Sequence, residues 1–404
     1  MYKEISIKDL KVGMFVADTG LPWIEHPYLF AEEGEVATQE ALDRIVRQGF
    51  QNVVVDTDRG SYEFGRVHEP DVLGQTDGQT FAPNLVSIEE EAEVAQQIYQ
   101  DSVAFAHDFI RSAQTDGTVD YEKSGALVDD VIQSVARNRD ALVSFSKLRS
   151  YDEYTFTHCI NVAVIAVAFG QFLGLIPERL KPLGLSGLFH DLGKARIPPA
   201  VLNKPDKLTD EEFEIIKAHP LRSYQMLKEQ QAVGPDVLRG IVEHHEKFNG
   251  KGYPRGLSGD QISLFGRILA LADIYDAITS RRVYKESISP SKSLKIMFGM
   301  RDQTFATGLL TSFIKFLGVY PVGSLVRLSD GTCGVVCESN PYRAHEPVVK
   351  VAFDADMRPA PIRKVDLFKA HMSKGRRLEI TECLDHESYK IDPARFLLGD
   401  EGNS

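Results

Sequence analysis

The chain has 404 residues, more than one ordinary domain, so two or three domains are expected. Its 43% hydrophobic and 26% charged content are those of a globular protein. A net charge of −12 argues against a general binder of nucleic-acid polymers or anionic membranes, while leaving room for a locally basic pocket.

The N-terminus, "MYKEISIKDLKVG", is polar and lacks a signal-peptide core. Residues 1–56 read as a small α/β unit. "MFVADTG" and "NVVVDT" are strand-like, and "ATQEALDRIVRQGF" is a helix ending near Gly49. Residues 57–86 have no periodicity and read as a linker. From Ser87 the pattern is helical, with Ser87 as N-cap and Glu90 three residues on, and further helices run to residue 147 as a connecting region. Residues 148–320 are nearly all helix joined by short loops. After Pro321 the pattern turns to strands around an Asp-Gly turn, a small β appendage over 321–384, followed by a polar tail over 385–404. The fold class is mainly α.

The longest apolar run, "NVAVIAVAFGQFLGLI", is shorter than the roughly 20 residues a spanning helix needs and is broken by Gln171, so it reads as a buried core helix. The four cysteines, Cys159, Cys333, Cys337 and Cys383, are too irregular for a disulfide framework or a zinc site. Reduced thiols in a cytoplasm are expected.

Chemistry concentrates in one stretch. Of eleven histidines, five (His158, His190, His219, His244 and His245) fall between residues 158 and 245. His190 is followed by Asp191, with Lys194 one turn on. His219 stands before a proline, and His244 and His245 end a helical segment. Asp273 lies on an otherwise apolar helix, with Asp276 at i+3. One histidine on an apolar face is ordinarily a core residue. Five imidazoles with two carboxylates are what a two-metal site requires, with Asp191 bridging the ions. Between Lys247 and Lys295 there are nine Lys or Arg against four acids, a local reversal of charge that suits an anionic ligand such as a phosphodiester.

"HDLGKARIP", "HHEKFNGKGYPRGL" and "ILALADIYDAITSRRVYK" stand in the order and spacing of the HD-GYP domain, and residues 150–320 resemble that subgroup of the HD superfamily of metal-dependent phosphohydrolases. The resemblance implies an HD-type helical bundle. It implies hydrolysis of cyclic di-GMP to pGpG and then GMP by a metal-bridging hydroxide, with iron or manganese as the ions. It makes His158, His190, Asp191, His219, His244, His245 and Asp273 the metal ligands. Lys194, Arg282 and Lys285 would meet the phosphates, and the Gly252-Tyr253-Pro254 loop would form the rim of the substrate site. Residues 1 to about 130 are similar to a small N-terminal domain of unassigned function often joined to this catalytic domain.

The sequence departs from the family at two positions. Members with a third metal carry Glu four residues before the first histidine; here that position is Tyr154, with Glu153 beside it, so two divalent ions are expected. The usual Arg-Pro-Tyr is Arg282-Val283-Tyr284. The rival readings are a catalytically silent cyclic di-GMP receptor that signals to a partner protein through the N-terminal domain or the Gly-Tyr-Pro loop, and a hydrolase of another cyclic dinucleotide such as cyclic GMP-AMP. The helix at 87–113 suits a homodimer contact as well as packing within its own domain.

Overall fold

The protein is described from a computed structural model that covers residues 2–17, 29–30, 34–47, 52–60, 84–115, 118–148, 154–202, 204, 206–230, 233–280, 288–340, 343–374, 378–386 and 388–397. In chain order the elements are β1 (Tyr2–Ser6), β2 (Met14–Val16), β3 (Leu29–Phe30), β4 (Gly34–Glu35), α1 (Gln39–Arg47) and β5 (Asn52–Gly60). Helices follow: α2 (Ile88–Thr115), α3 (Tyr121–Arg137), α4 (Arg139–Leu148), α5 (Tyr154–Phe172), α6 (Pro177–Phe189), α7 (Pro199–Leu202), α8 (Asp210–Lys217), α9 (His219–Glu229), α10 (Pro235–Glu243), α11 (Leu264–Thr279), α12 (Pro290–Gly299) and α13 (Thr307–Leu317). The chain ends with β6 (Leu325–Leu328), β7 (Cys333–Glu338), β8 (Val348–Phe353), β9 (Pro359–Asp366), α14 (Leu367–Lys374), β10 (Ile380–Leu384) and α15 (Pro393–Leu397). The described helices and two small sheets match the mainly α expectation.

The chain divides into two compact units. The first takes Met1–Asp71, Leu294–Asp302 and Ala306–His386. One of its sheets has the order β1-β5-β2-β4, with β3 added parallel to β5. The apolar faces of Met14, Val16, Val53 and Val55 pack with Ile7 and Ile45. The other sheet is antiparallel in the order β10-β6-β7-β8-β9, with Val326, Val336, Val349 and Leu367 at its core. Its Asp-Gly turn is the expected one. Gly331 takes φ 88°, and Asp330 Oδ1 accepts from the Thr332 amide at 3.0 Å.

The second unit takes Val72–Ser293, Gln303–Phe305 and Glu387–Ser404. Residues 157–170 of α5 are buried without interruption, which explains a helix that is apolar all round: it is the centre of the bundle. No helix among the described residues is long and apolar enough to cross a membrane.

Three features differ from the sequence reading. Residues 57–60, assigned to the linker, continue β5, because the ladder to β2 reaches Gly60; residues 61–83 lie outside the described residues. Strand β9 escaped notice because most of its residues are exposed or half-buried and it starts at Pro359, which suits an edge. The stretch from 385 read as a polar tail contains α15, where Pro393, Ala394 and Leu397 are buried at helical spacing as it packs on α2 and α4.

Candidate metal centre

Five segments of the second unit converge. His158 lies in the first turns of α5, and Asp273 and Asp276 lie one turn apart on α11. His190 caps the end of α6, where the helix breaks into a short 3-10 turn at Leu192–Arg196 that carries Lys194. His219 opens α9 with Pro220 beside it, where proline loses no helical hydrogen bond. His244 and His245 follow the last turn of α10.

The turn after Asp191 packs directly on α9, and Gly193 permits it. A Cβ there would stand 2.2 Å from the His219 carbonyl oxygen and 2.6 Å from the Ser223 amide. Ser223 closes the junction: its hydroxyl accepts from the Gly193 amide at 2.7 Å and donates to the His190 carbonyl at 3.0 Å.

The seven predicted ligands come together as two clusters. Asp191, His219, His244 and His245 form one, and His158, His190 and Asp273 the other; within each, one ligand atom per residue lies within 4.8 Å of the rest. Asp191 faces both. Its Oδ1 is 3.1 Å from His219 Nε2, and its Oδ2 is 3.3 Å from His190 Nε2 and 3.6 Å from His158 Nε2.

Three imidazoles are oriented alike. Nδ1 of His190, His219 and His244 meets the carbonyls of Gly187, Ile216 and Ile241 at 2.7, 2.8 and 2.6 Å. A carbonyl only accepts, so each Nδ1 carries the proton and each Nε2 lone pair points inward. This arrangement fits a cation. His190 Nε2 and Asp191 Oδ1 are buried without a hydrogen bond of good geometry, although His219 Nε2 lies close to the latter. The donor set of imidazoles and carboxylates suits a divalent transition metal.

The electrostatics agree. Burial opposes the charge on Asp191, yet Lys194 and His190 hold its carboxyl well below the usual range. Lys194 Nζ lies 2.5 Å from Asp191 Oδ2, and this carboxylate raises the amine against the pull of burial. Burial and neighbouring imidazoles push His244 far down, and burial brings His245 to about 3, so both are neutral. For His158 burial acts downward too, but Asp273 and Asp276 outweigh it and hold the imidazole up to about 9.

The Gly-Tyr-Pro loop closes over one side. The Tyr253 ring stacks on His245 with centroids 4.8 Å apart, and its amide donates to the His245 carbonyl at 3.2 Å. Gly252 sits against the chain it returns to; a Cβ would come within 2.3 Å of the Lys247 amide. Glu246 holds this loop, accepting from the amides of Arg255 at 2.7 Å and Leu257 at 3.0 Å. The sequence reading did not single out Glu246, Asn161 or Ser223. The available signal for Glu246 was an acid directly after two adjacent histidines. Arg282, Lys285 and Glu153 lie outside the described residues, as does the Tyr154 side chain.

Comparison with known proteins agrees with this geometry. Residues 132–307 match the HD domain family, and residues 2–124 match a domain of unknown function. Over 373 residues the chain is 35% identical to a cyclic di-GMP phosphodiesterase of Pseudomonas aeruginosa, covering 92% of this chain and 90% of that protein. The chain belongs to the HD domain family. Two Vibrio cholerae relatives match a shorter part of the chain. A cyclic di-GMP phosphodiesterase is 37% identical over 205 residues, 46% of this chain and 42% of that protein. A 3'3'-cGAMP-specific phosphodiesterase is 37% identical over 158 residues, 39% of this chain and 36% of that one.

Proposed function

We propose that this chain is a metal-dependent phosphodiesterase that hydrolyses cyclic di-GMP to pGpG, GMP or both, with two iron or manganese ions. The observation that carries the reading is the pair of buried His/Asp clusters with one carboxylate facing both. The near full-length likeness to a cyclic di-GMP phosphodiesterase supports the choice of substrate.

On this reading His158, His190 and Asp273 would hold one ion and His219, His244 and His245 the other, with Asp191 placed to serve both. The ions, once bound, supply Lewis acidity to the phosphoryl oxygens and make hydroxide available near neutral pH. The chain's own residues arrange the rest. Carbonyls behind three imidazoles lock their tautomer and aim, so no reorganisation is needed on binding. Lys194, held by Asp191, places a cation where charge grows on the phosphoryl group. Gly252, Tyr253 and Pro254 form the rim, with Arg282 and Lys285 proposed at the phosphates. No side chain serves as covalent nucleophile, so no phospho-enzyme accumulates. A protein partner at the N-terminal unit or at the Gly-Tyr-Pro loop belongs to the same proposal.

A second reading, hydrolysis of 3'3'-cGAMP, is favoured by the likeness of 39% of the chain to a phosphodiesterase specific for it. One experiment addresses both. The protein is loaded anaerobically with Fe(II) or Mn(II), given each cyclic dinucleotide, and the products are separated by chromatography. The proposal expects pGpG or GMP from cyclic di-GMP with the wild type and none with Asp191→Ala. Binding of intact cyclic di-GMP without turnover would make the chain a receptor instead.

A further inference from the structure

A buried chain of hydrogen bonds leads away from the centre to a helix outside the HD match. His158 Nδ1 lies 2.7 Å from Asp276 Oδ2. Asp276 Oδ1 accepts from Asn161 Nδ2 at 2.8 Å and from the Ser280 hydroxyl at 3.1 Å. Asn161 Oδ1 accepts from the Tyr99 hydroxyl at 2.7 Å. Tyr99 is 1% exposed and belongs to α2. The direction of each bond is set: a carboxylate accepts, so Asn161 presents its amide nitrogen to Asp276 and its oxygen to Tyr99, which must donate. The same helix supports a second ligand. Phe109 stacks on Phe189 with centroids 5.4 Å apart, and Phe189 immediately precedes His190.

Both His158 and His190 belong to the three-ligand cluster with Asp273. The hydrogen bonds and ring contacts of α2 described above lead to these two imidazoles. Partners behind a metal-bound imidazole fix its ring orientation and its basicity, and their loss weakens metal binding. We infer that Tyr99 is a positioning residue for the ion at His158, His190 and Asp273, so that α2 sets how tightly that one ion is held. This rests on the metal-site reading above. Tyr99 falls within residues 2–124, the match to a domain of unknown function, so that region contributes a residue to the outer sphere of the catalytic centre. A ligand or protein that displaces α2 would then change the occupancy of one ion and leave the other in place.

The test is Mn(II) binding to the full chain without substrate, by calorimetry and electron paramagnetic resonance, beside melting of the metal-free protein. Tyr99→Phe keeps the ring and loses the donor; one of the two ions should bind about tenfold more weakly and the other unchanged. Asn161→Leu keeps the volume and loses both bonds; the same ion should weaken by up to about 100-fold. Wild-type affinity for both ions in Tyr99→Phe overturns the inference, as does equal weakening of both ions with a lowered melting temperature. Should Tyr99→Phe fail to fold, Asn161→Leu decides by the same criterion; failure of both makes the chain of bonds a folding determinant and overturns the inference as well. A wild-type chain that binds two ions yet leaves cyclic di-GMP intact would sink the proposed function and leave this inference standing.

Discussion

His219 and His244 turn their Nε2 atoms toward each other at 3.3 Å, while each Nδ1 is tied to a backbone carbonyl. Two lone pairs thus face across a gap that only a proton or a cation relieves. The metal-free fold carries this repulsion, and ion binding removes it. Mn(II) at 100 times its dissociation constant should stabilise the protein by about 2.7 kcal/mol, and a chelator should reverse the gain. Differential scanning calorimetry with and without metal checks this; an unchanged melting temperature would contradict it.

Metal loading should release about one proton near pH 7–8, and the proton comes from His158. Against burial, Asp273 and Asp276 raise this imidazole from 6.5 to about 9, whereas His244 and His245 are already neutral. The sign follows from a raised pKa. Protonated His158 stabilises the metal-free fold fully below pH 6.5, and the contribution fades as pH rises through about 9. Metal affinity should therefore climb with pH across the same window. Calorimetric titrations in buffers of different ionisation heat count the protons; none released at pH 7.5 would refute the assignment.

Glu246→Gln should impair substrate capture and spare the metals. The carboxylate accepts from two loop amides, and the amide that replaces it can accept only one and turns a donor toward the other. A lost charge-assisted bond of about 1.5–3 kcal/mol loosens the Gly-Tyr-Pro loop. KM for the cyclic dinucleotide should rise roughly tenfold or more, with metal content held at the wild-type value by elemental analysis. Loss of metal would show instead that Glu246 supports the ligands.

Gly193→Ala should damage the centre from within the backbone. Its Cβ would overlap the His219 carbonyl and the Ser223 amide, neither of which is a flexible side-chain end. Forcing the 3-10 turn off α9 separates Asp191 from His219. The expected cost is about 1–3 kcal/mol of stability, with fewer ions retained after dialysis. A variant with native melting and full metal content would mean that the turn can shift without moving the ligands.

The seven candidate ligands stood out in the sequence because each has a distinctive local setting: a histidine opening an apolar run, a His-Asp pair before Gly-Lys, a histidine before proline, two adjacent histidines before a Gly-Tyr-Pro loop, an aspartate on an apolar helix. Helices in the bundle were legible from their apolar spacing, and β6 to β8 from alternation around Asp330-Gly331. These are short-range properties, which consecutive residues carry by themselves. The division of the candidate ligands into three and four, the two faces of Asp191 and the path from His158 through Asp276 and Asn161 to Tyr99 were decided by the tertiary structure. Tyr99 and Asn161 are 62 positions apart, and His158 and Asp276 are 118 apart. A hydrogen bond between such partners depends on how α2, α5 and α11 pack, and residue order in a single sequence states no distance between helices.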